Sequence, residues 1–265
     1  MSNEPTFEEA WRALLTGQLP EMRRGRHLFS LIPTNPRCKF CNAPFEGIGS
    51  PFMRLMGKRR SRLNPNFCNV CETFARTHPG GAEVELTMLF ADVRGSTPLA
   101  ERMNPSEFSQ LMDRFYRAAY RVLVQTDGFF DKMVGDEVII WYIPGFAGPE
   151  HARLAVQAAH ELLHATGHSR PEGPWLPVGV GVHTGIAFLG TVGESREDHI
   201  EFAALGDNVN ITARLASKAA AGEILVSDAT YVAAGLNLVD LEQRQLELKG
   251  KSEPVGVHVM QVSAS

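Results

Sequence analysis

Two aspartates, an asparagine–arginine pair and four cysteines are the side chains of this 265-residue chain whose types and spacing suit chemistry. Asp92 lies in LFADVRGST (Leu89 to Thr97), where a mostly apolar stretch from Glu83 to Val93 runs into Gly95, Ser96 and Thr97. A strand-to-turn junction of this kind can aim backbone N–H groups outward ahead of a helix, with the carboxylate facing whatever those amides bind. Asp136 lies in DKMVGDEVIIW (Asp131 to Trp141), which reads as a β-hairpin with glycine at its turn. An aspartate at a hairpin tip is also an ordinary turn former. Two strand-end aspartates without a histidine suit Mg2+ better than Zn2+, because Mg2+ takes its oxygen ligands from one or two carboxylates, phosphates and water. In EFAALGDNVNITARL (Glu201 to Leu215), Gly206 and Asp207 read as a turn and N-cap, so Asn210 and Arg214 share one face of the following helix. Arg214 is then either a solvated helix residue or a clamp for a phosphoryl group whose charge rises during reaction.

All four cysteines, Cys38, Cys41, Cys68 and Cys71, precede Pro79 in the spacing C-x2-C-x26-C-x2-C. Two such knuckles gather four thiolates into a tetrahedron, and a segment of about eighty residues with few long apolar runs gains much of its stability from that staple. Disulfides are the competing account, but no signal peptide is visible and a reducing, cytoplasmic setting is expected. A structural Zn2+ is favoured, with iron or an iron–sulfur centre as the alternative. The loop length is also similar to the two-knuckle arrangement of rubredoxin, although Asn42 and Glu72 stand where its knuckles often carry glycine.

Taken together, the segments outside the cysteine region resemble the class III nucleotidyl cyclase catalytic domain from roughly Glu83 to Val262, about two thirds of the chain. LFADVRGST is similar to the family's first metal-binding segment and DKMVGDE to its second. EFAALGDNVNITARL is similar to its transition-state segment, and LELKGKSEPV (Leu246 to Val255) to its phosphate-contacting strand pair. The resemblance implies that Asp92 and Asp136, with the Val93 carbonyl as a further ligand, hold two Mg2+ or Mn2+ ions, and that Gly95, Ser96 and Thr97 meet the substrate. It implies that Lys132 contacts the purine, Asn210 orients the ribose and Arg214 stabilises the transition state. Lys249, in preference to Lys251, contacts the terminal phosphates. The implied reaction converts ATP to 3′,5′-cyclic AMP and pyrophosphate for signal transduction. The implied assembly is a homodimer with two equivalent sites, the aspartates from one protomer and Lys132, Asn210, Arg214 and Lys249 from the other. The implied fold is α/β: an α+β sandwich of one ferredoxin-like mixed sheet with helices packed against it, preceded by a small cysteine-rich, metal-stapled module.

One position departs from the family pattern. Adenylate-forming members usually carry Asp, Thr or Ser three residues before the glycine of the third segment, where it helps read the adenine amino group; here that residue is Ala203. A methyl group makes no hydrogen bond, and losing one such contact is worth on the order of 1 kcal/mol. Lys132 still argues for ATP, because guanylate-forming relatives tend to carry Glu there. Two other readings stand beside an active enzyme: a cyclase fold that only senses nucleotide or dimerises, and a nucleic-acid-binding regulator led by the cysteine module.

The elements that must position these residues follow from periodicity. Asn104, Pro105 and Glu107 form a helix start, with Phe108, Leu111, Met112, Phe115, Ala118, Ala119 and Val122 at helical spacing behind it. His151 to Ala165 reads as a second amphipathic helix; its loosely spaced histidines are not a metal motif. Val178 to His183 and Ile186 to Val192 read as two strands around Thr184 and Gly185, with His183 packing at a strand end. Phe7 to Leu15 is a short amphipathic helix candidate, packing on a neighbour or fraying. THPGGA (Thr77 to Ala82) reads as a linker, dividing the chain into a module at 1–79 and a catalytic domain at 80–265.

Charge follows the same division. Of 26 Lys and Arg and 30 Asp and Glu, 12 and 6 lie at or before His78, leaving 14 and 24 after it. Lys58, Arg59, Arg60 and Arg62 concentrate positive charge between the knuckles. Such a loop is most often simply solvated. It is also suited to nucleic acid, an anionic membrane or the acidic cyclase surface, and the lack of an aromatic ladder or recognition helix argues against nucleic acid. Contact with the cyclase region, with the cysteine module as dimer organiser or sensor, is the favoured reading. A chain of this length with 44% hydrophobic residues supports one substantial core and one appendage, with no apolar stretch near the roughly twenty residues of a membrane span.

Overall fold

The computed structural model describes residues 5–32, 36–62, 66–192, 201–238 and 240–262. In chain order the first elements are α1 (Phe7–Leu15), α2 (Pro20–Ser30), α3 (Ser50–Leu55), α4 (Asn69–Thr77), β1 (Gly81–Val93), α5 (Ser96–Arg102) and α6 (Pro105–Gln125). Then come β2 (Phe129–Val134), β3 (Glu137–Tyr142), α7 (Pro144–Ala147), α8 (His151–Ala165), β4 (Val178–Val192) and β5 (Glu201–Leu205). The last are α9 (Asp207–Lys218), β6 (Glu223–Ser227), α10 (Asp228–Ala233), β7 (Glu242–Leu246) and β8 (Val255–Gln261). The strands form one mixed sheet in the order β2-β3-β1-β4-β6-β8-β7, with β5 paired to β4. β1 and β3 are antiparallel whereas β4 and β6 are parallel, so the expected mixed α/β sheet is present.

Two compact units divide the chain. The first comprises Met1–Val84 together with Ile143–Gly148 and Ile186–Leu205. Its centre is aromatic. Trp11 of α1 is fully buried, stacks on Phe202 at 5.8 Å, meets Phe74 edge-on at 5.0 Å and donates its indole N–H to His78 O at 2.7 Å. Phe40 joins the same cluster, edge-on to Phe202 at 4.9 Å and to Phe146 at 5.7 Å. α1 is therefore a core element, anchored by a Thr6–Glu9 capping box and burying Trp11, Leu14 and Leu15. The predicted linker is short and tightly held: Thr191 N donates to Gly80 O at 2.8 Å, and a Cβ at Gly81 would lie 2.2 Å from Leu189 O.

The second unit comprises Glu85–Tyr142, Pro149–Gly185 and Gly206–Ser265. Asn104 caps α6 through the expected capping box, and Met112, Phe115, Ala119 and Val122 are buried along it. α6 packs on α8, β2 and β3, while α9 lays Ile211, Leu215 and Ala219 against Leu225, Val257 and Val259 of β6 and β8. β6 is buried along its whole length, so both its faces are covered.

β4 differs from the two strands predicted. It runs unbroken through Thr184 and Gly185, because the glycine makes room for a side chain instead of turning the chain: a Cβ there would lie 2.5 Å from Asn208 Cγ. Asn208 Oδ1 is thereby free to accept from His183 Nε2 at 2.8 Å, and His183 Nδ1 meets Ser227 Oγ at 2.8 Å. The chain of hydrogen bonds continues through Thr230, Thr184 and Thr87 to His151 Nδ1, each link 2.8 to 3.1 Å. Burial holds the pKa of both His151 and His183 below its ordinary value, and neutral rings satisfy the whole chain in one direction. His183 is thus buried with a structural partner at each nitrogen, inside the unbroken β4 and not at the strand end predicted.

Two stability measurements follow. Gly185→Ala must push Asn208 aside and strand His183, so unfolding in urea is expected to show a loss of about 1 to 3 kcal/mol; an unchanged midpoint would mean Asn208 is not held as described. Glu223 receives Arg244 through two hydrogen bonds of 2.8 and 3.1 Å, which hold its carboxyl below the ordinary value. That contribution is complete above the unfolded carboxylate pKa of about 4.3 and is lost as pH falls through the lower folded value. Arg244→Met is expected to cost about 1 to 2 kcal/mol at neutral pH and to flatten the acid limb of the stability curve.

Candidate active site and cysteine cluster

The acidic end of the site is built by strand register. β1 and β3 pair so that Asp92 lies opposite Glu137, and Val93 N donates to Asp136 O at 3.2 Å. The hairpin joining β2 and β3 turns at Gly135, whose φ of 63° is in the left-handed region, as the sequence predicted. Tyr116 of α6 donates its hydroxyl to Gly135 O and braces the turn from below. Asp136 therefore lies close to Asp92, and Glu137, which was not predicted, stands near enough for the charges of both to reach it. Burial pushes Asp92's carboxyl up, Arg94's charge opposes the rise and Asp136's adds to it. Glu137 is pushed up to about 7 by burial and by the charges of Asp92 and Asp136.

Arg94 is the internal counter-charge. Its Nη2 contacts the Asp92 carboxylate and its Nη1 donates to Ser217 O at 2.7 Å, while its backbone N donates to Pro177 O at 2.8 Å. Neither Arg94 nor Glu137 figured among the sequence candidates; the signals were position alone, two residues after Asp92 and directly after Asp136. Gly95, at φ 70°, starts α5, whose first turn, with Ser96 and Thr97, carries no side-chain cap. A crowded set of carboxylates beside uncapped amides, opposed by one arginine, fits the oxygen donor set of a hard divalent cation.

A second group forms on α9 and the β7–β8 connection. α9 starts at Asp207 with Gly206 before it, so Asp207 is the first helical residue and not the N-cap predicted. Asn210 and Arg214 are one turn apart on this helix, with Asn210 exposed and Arg214 half-buried. LELKGKSEPV, expected as a strand pair, is mostly the connection between strands: β7 ends at Leu246 and β8 begins at Val255, with Gly250 turning at φ 79°. Lys251 pairs with Asp207 across this connection, while Lys249 is exposed. Lys132 stands half-buried on β2, just past a bulge between Phe130 and Lys132. Ala203, on β5 in the first unit, is buried and paired with Gly190.

The four cysteines converge as predicted. Their sulfurs are buried and lie within 4.8 Å of one another, the only group of metal-ligating side chains found among the described residues. Cys41 and Cys68 Sγ are 3.8 Å apart, far beyond the roughly 2.0 Å of a disulfide and close to the tetrahedral edge of about 3.8 Å that metal–sulfur bonds of about 2.3 Å would give. Cys38 N donates to Ala43 O and Asn42 N to Cys38 O, both at 2.9 Å, closing the first knuckle. Asn42 takes φ 59° there, a conformation Asn tolerates, so its replacement of glycine leaves the knuckle intact. Cys68 N donates to Cys38 Sγ at 3.2 Å. Burial opposes ionisation of the Cys38 thiol, and so many sulfurs this close cannot all ionise without a cation.

Comparisons with known proteins agree with this geometry. The chain resembles the adenylate cyclase of Anabaena cylindrica, 26% identical over 185 residues, and guanylate cyclase 32E of Drosophila melanogaster, 27% identical over 194 residues. Those alignments cover 65% and 69% of this chain but only 36% and 16% of the two relatives. Among solved structures, the guanylyl cyclase Cya2 matches with a TM-score of 0.63 at 25% identity, covering 71% of this chain and 96% of that one. The adenylyl cyclase CyaB from P. aeruginosa matches at 0.56 and 28%, covering 69% and 95%. With residues 82–261 matching the family model of the adenylate and guanylate cyclase catalytic domain, and with the acidic strand ends and mixed sheet in place, the chain belongs to that family.

Proposed function

We propose that this chain is an adenylate cyclase, converting ATP to 3′,5′-cyclic AMP and pyrophosphate at two sites shared across a cytoplasmic homodimer, for intracellular signal transduction. The observation that carries the proposal is the convergence of Asp92 and Asp136 through the β1–β3 register. In the reaction the ribose 3′ oxygen bonds to the α-phosphorus as the bond to pyrophosphate breaks, and the hydroxyl proton passes to Asp92, a water or a phosphate oxygen. Mg2+ or Mn2+ bound by Asp92, Asp136 and the Val93 carbonyl would acidify that hydroxyl and neutralise the leaving group. Arg214 supplies a fixed positive charge where negative charge develops, Asn210 orients the ribose and Lys249 holds the terminal phosphates. Lys132 reads the purine, and Ala203 adds no hydrogen bond, so base selection is looser than with a polar residue there. That the site is completed by a second copy is carried over from the family resemblance, with one chain type supplying every residue of both halves. At the cysteines, the sulfur spacing supports Zn2+.

Cyclic AMP formation with Mn2+ tests the assignment. Asp92→Ala and Asp136→Ala are expected to fall to background and Arg214→Ala by about a hundredfold or more. ATP is expected to outrun GTP. Unchanged output from Asp92→Ala would overturn the metal assignment, a GTP preference would overturn the base, and no product from any protein would favour a nucleotide-sensing fold. Metal analysis is expected to give a colourless protein with one Zn2+ per chain, lost in Cys38→Ser with destabilisation of the first unit; visible absorption from bound iron would overturn the zinc reading.

A further inference from the structure

The catalytic machinery leaves the surface of the cysteine module unexplained. Between the knuckles, a 3-10 turn at Gly47–Gly49 leads into α3. This segment turns Met53 and Ser50 inward, at 1% and 7% exposure, and turns large apolar side chains outward: Ile48 at 81%, Phe52 at 54%, Leu55 at 85% and Met56 at 50%. Isolated exposed apolar residues are ordinary, but four within nine residues, at helical spacing, form a patch that water penalises and a partner covers.

Cations lie between and directly after these residues in the sequence. Arg54, Lys58, Arg59 and Arg60 line one cavity of about 420 Å3, with Ser50 and Phe45 in its wall and no acidic residue. Lys58 Nζ also lies 3.8 Å from Cys41 Sγ, and Arg60 sits over the Phe45 ring at 5.7 Å. Arg54 and Arg59 have no ion-pair partner among the described residues. The first 78 residues carry twice as many Lys and Arg as Asp and Glu, so their own acids offset only part of this charge. A cavity of this size accepts a small phosphorylated group, and its lining is complementary to an anion.

Exposed apolar side chains and clustered basic ones within one short segment combine the two signals of reversible attachment to a negatively charged bilayer. Nucleic acid would use the cations but has no use for exposed Ile48, Leu55 and Met56. We infer that this face of the cysteine module docks on anionic phospholipid membranes, with Ile48, Phe52, Leu55 and Met56 entering the headgroup–acyl boundary and Arg54, Lys58, Arg59 and Arg60 receiving a phosphate-bearing headgroup. No helix among the described residues is long and apolar enough to cross a membrane, so attachment is at the surface. The inference does not rest on the catalytic proposal.

Flotation of the full chain with two kinds of vesicle tests it: phosphatidylcholine alone, and an equal mixture of phosphatidylcholine and phosphatidylglycerol. Binding is expected to the mixed vesicles only and to weaken with salt. Phe52→Ser/Leu55→Ser and, separately, Arg54→Ala/Arg59→Ala are each expected to weaken it about tenfold or more, with metal content and thermal midpoint unchanged. Soluble glycerol phosphate at the same phosphate concentration is expected not to compete. Binding to neither or both vesicles alike, or binding insensitive to the apolar pair, would overturn the inference. So would a shift in solution mass caused by the apolar pair without vesicle binding, which would assign the patch to a second copy. Capture of a single-stranded oligonucleotide in place of vesicles would assign the cations to nucleic acid.

Discussion

Like charges do not gather unless something holds them. The β1–β3 register brings the carboxylates of Asp92, Asp136 and Glu137 to one strand end, where burial raises the cost of ionising Asp92 and Glu137. The surrounding structure meets that cost by rigidity: a long buried strand, a hairpin turn braced by Tyr116, and an arginine tied to two backbone carbonyls while it contacts Asp92. Such a site has a standing demand for positive charge. Arg94 meets part of it, and a divalent cation would meet the rest.

The polar chain from His151 to Asn208 plays a different part in the same unit. Six buried side chains and the half-buried Asn208 satisfy one another in sequence, so the sheet accommodates threonines and histidines without stranding a donor. Its last member, Asn208, lies on α9 two residues before Asn210. The position of that helix is therefore tied to the interior through directional bonds as well as through the apolar packing of Ile211 and Leu215.

Local chemistry made much of this legible in advance. The Asn104 capping box, the Gly135 hairpin, the length of α1 and the convergence of two cysteine knuckles all follow from patterns a few residues long. What escaped was set by distant partners. Gly185 reads as a turn until Asn208 is seen to occupy the space its missing Cβ leaves, and LELKGKSEPV reads as strands although its glycine and charges make it the turn between them. Arg94 and Glu137 were in plain view within the two acidic motifs, but only strand register shows that they share one electrostatic site. The neighbouring pair Asp92 and Asp136 was thus legible in the sequence, whereas the third acid and the arginine beside them were not.

The aromatic centre of the first unit has a consequence for the order of folding. Trp11 and Phe40 are made early, whereas the rings they pack on include Phe146 and Phe202. During vectorial synthesis the cysteine knuckles emerge long before those partners, so metal capture can precede completion of the core by more than a hundred residues of translation. The nascent segment then has its cysteine cluster while Trp11 still lacks Phe202, a high-contact-order closure of the kind that is slow and exposed to misassembly. An excision ending near residue 79 would leave the chain permanently in that early state.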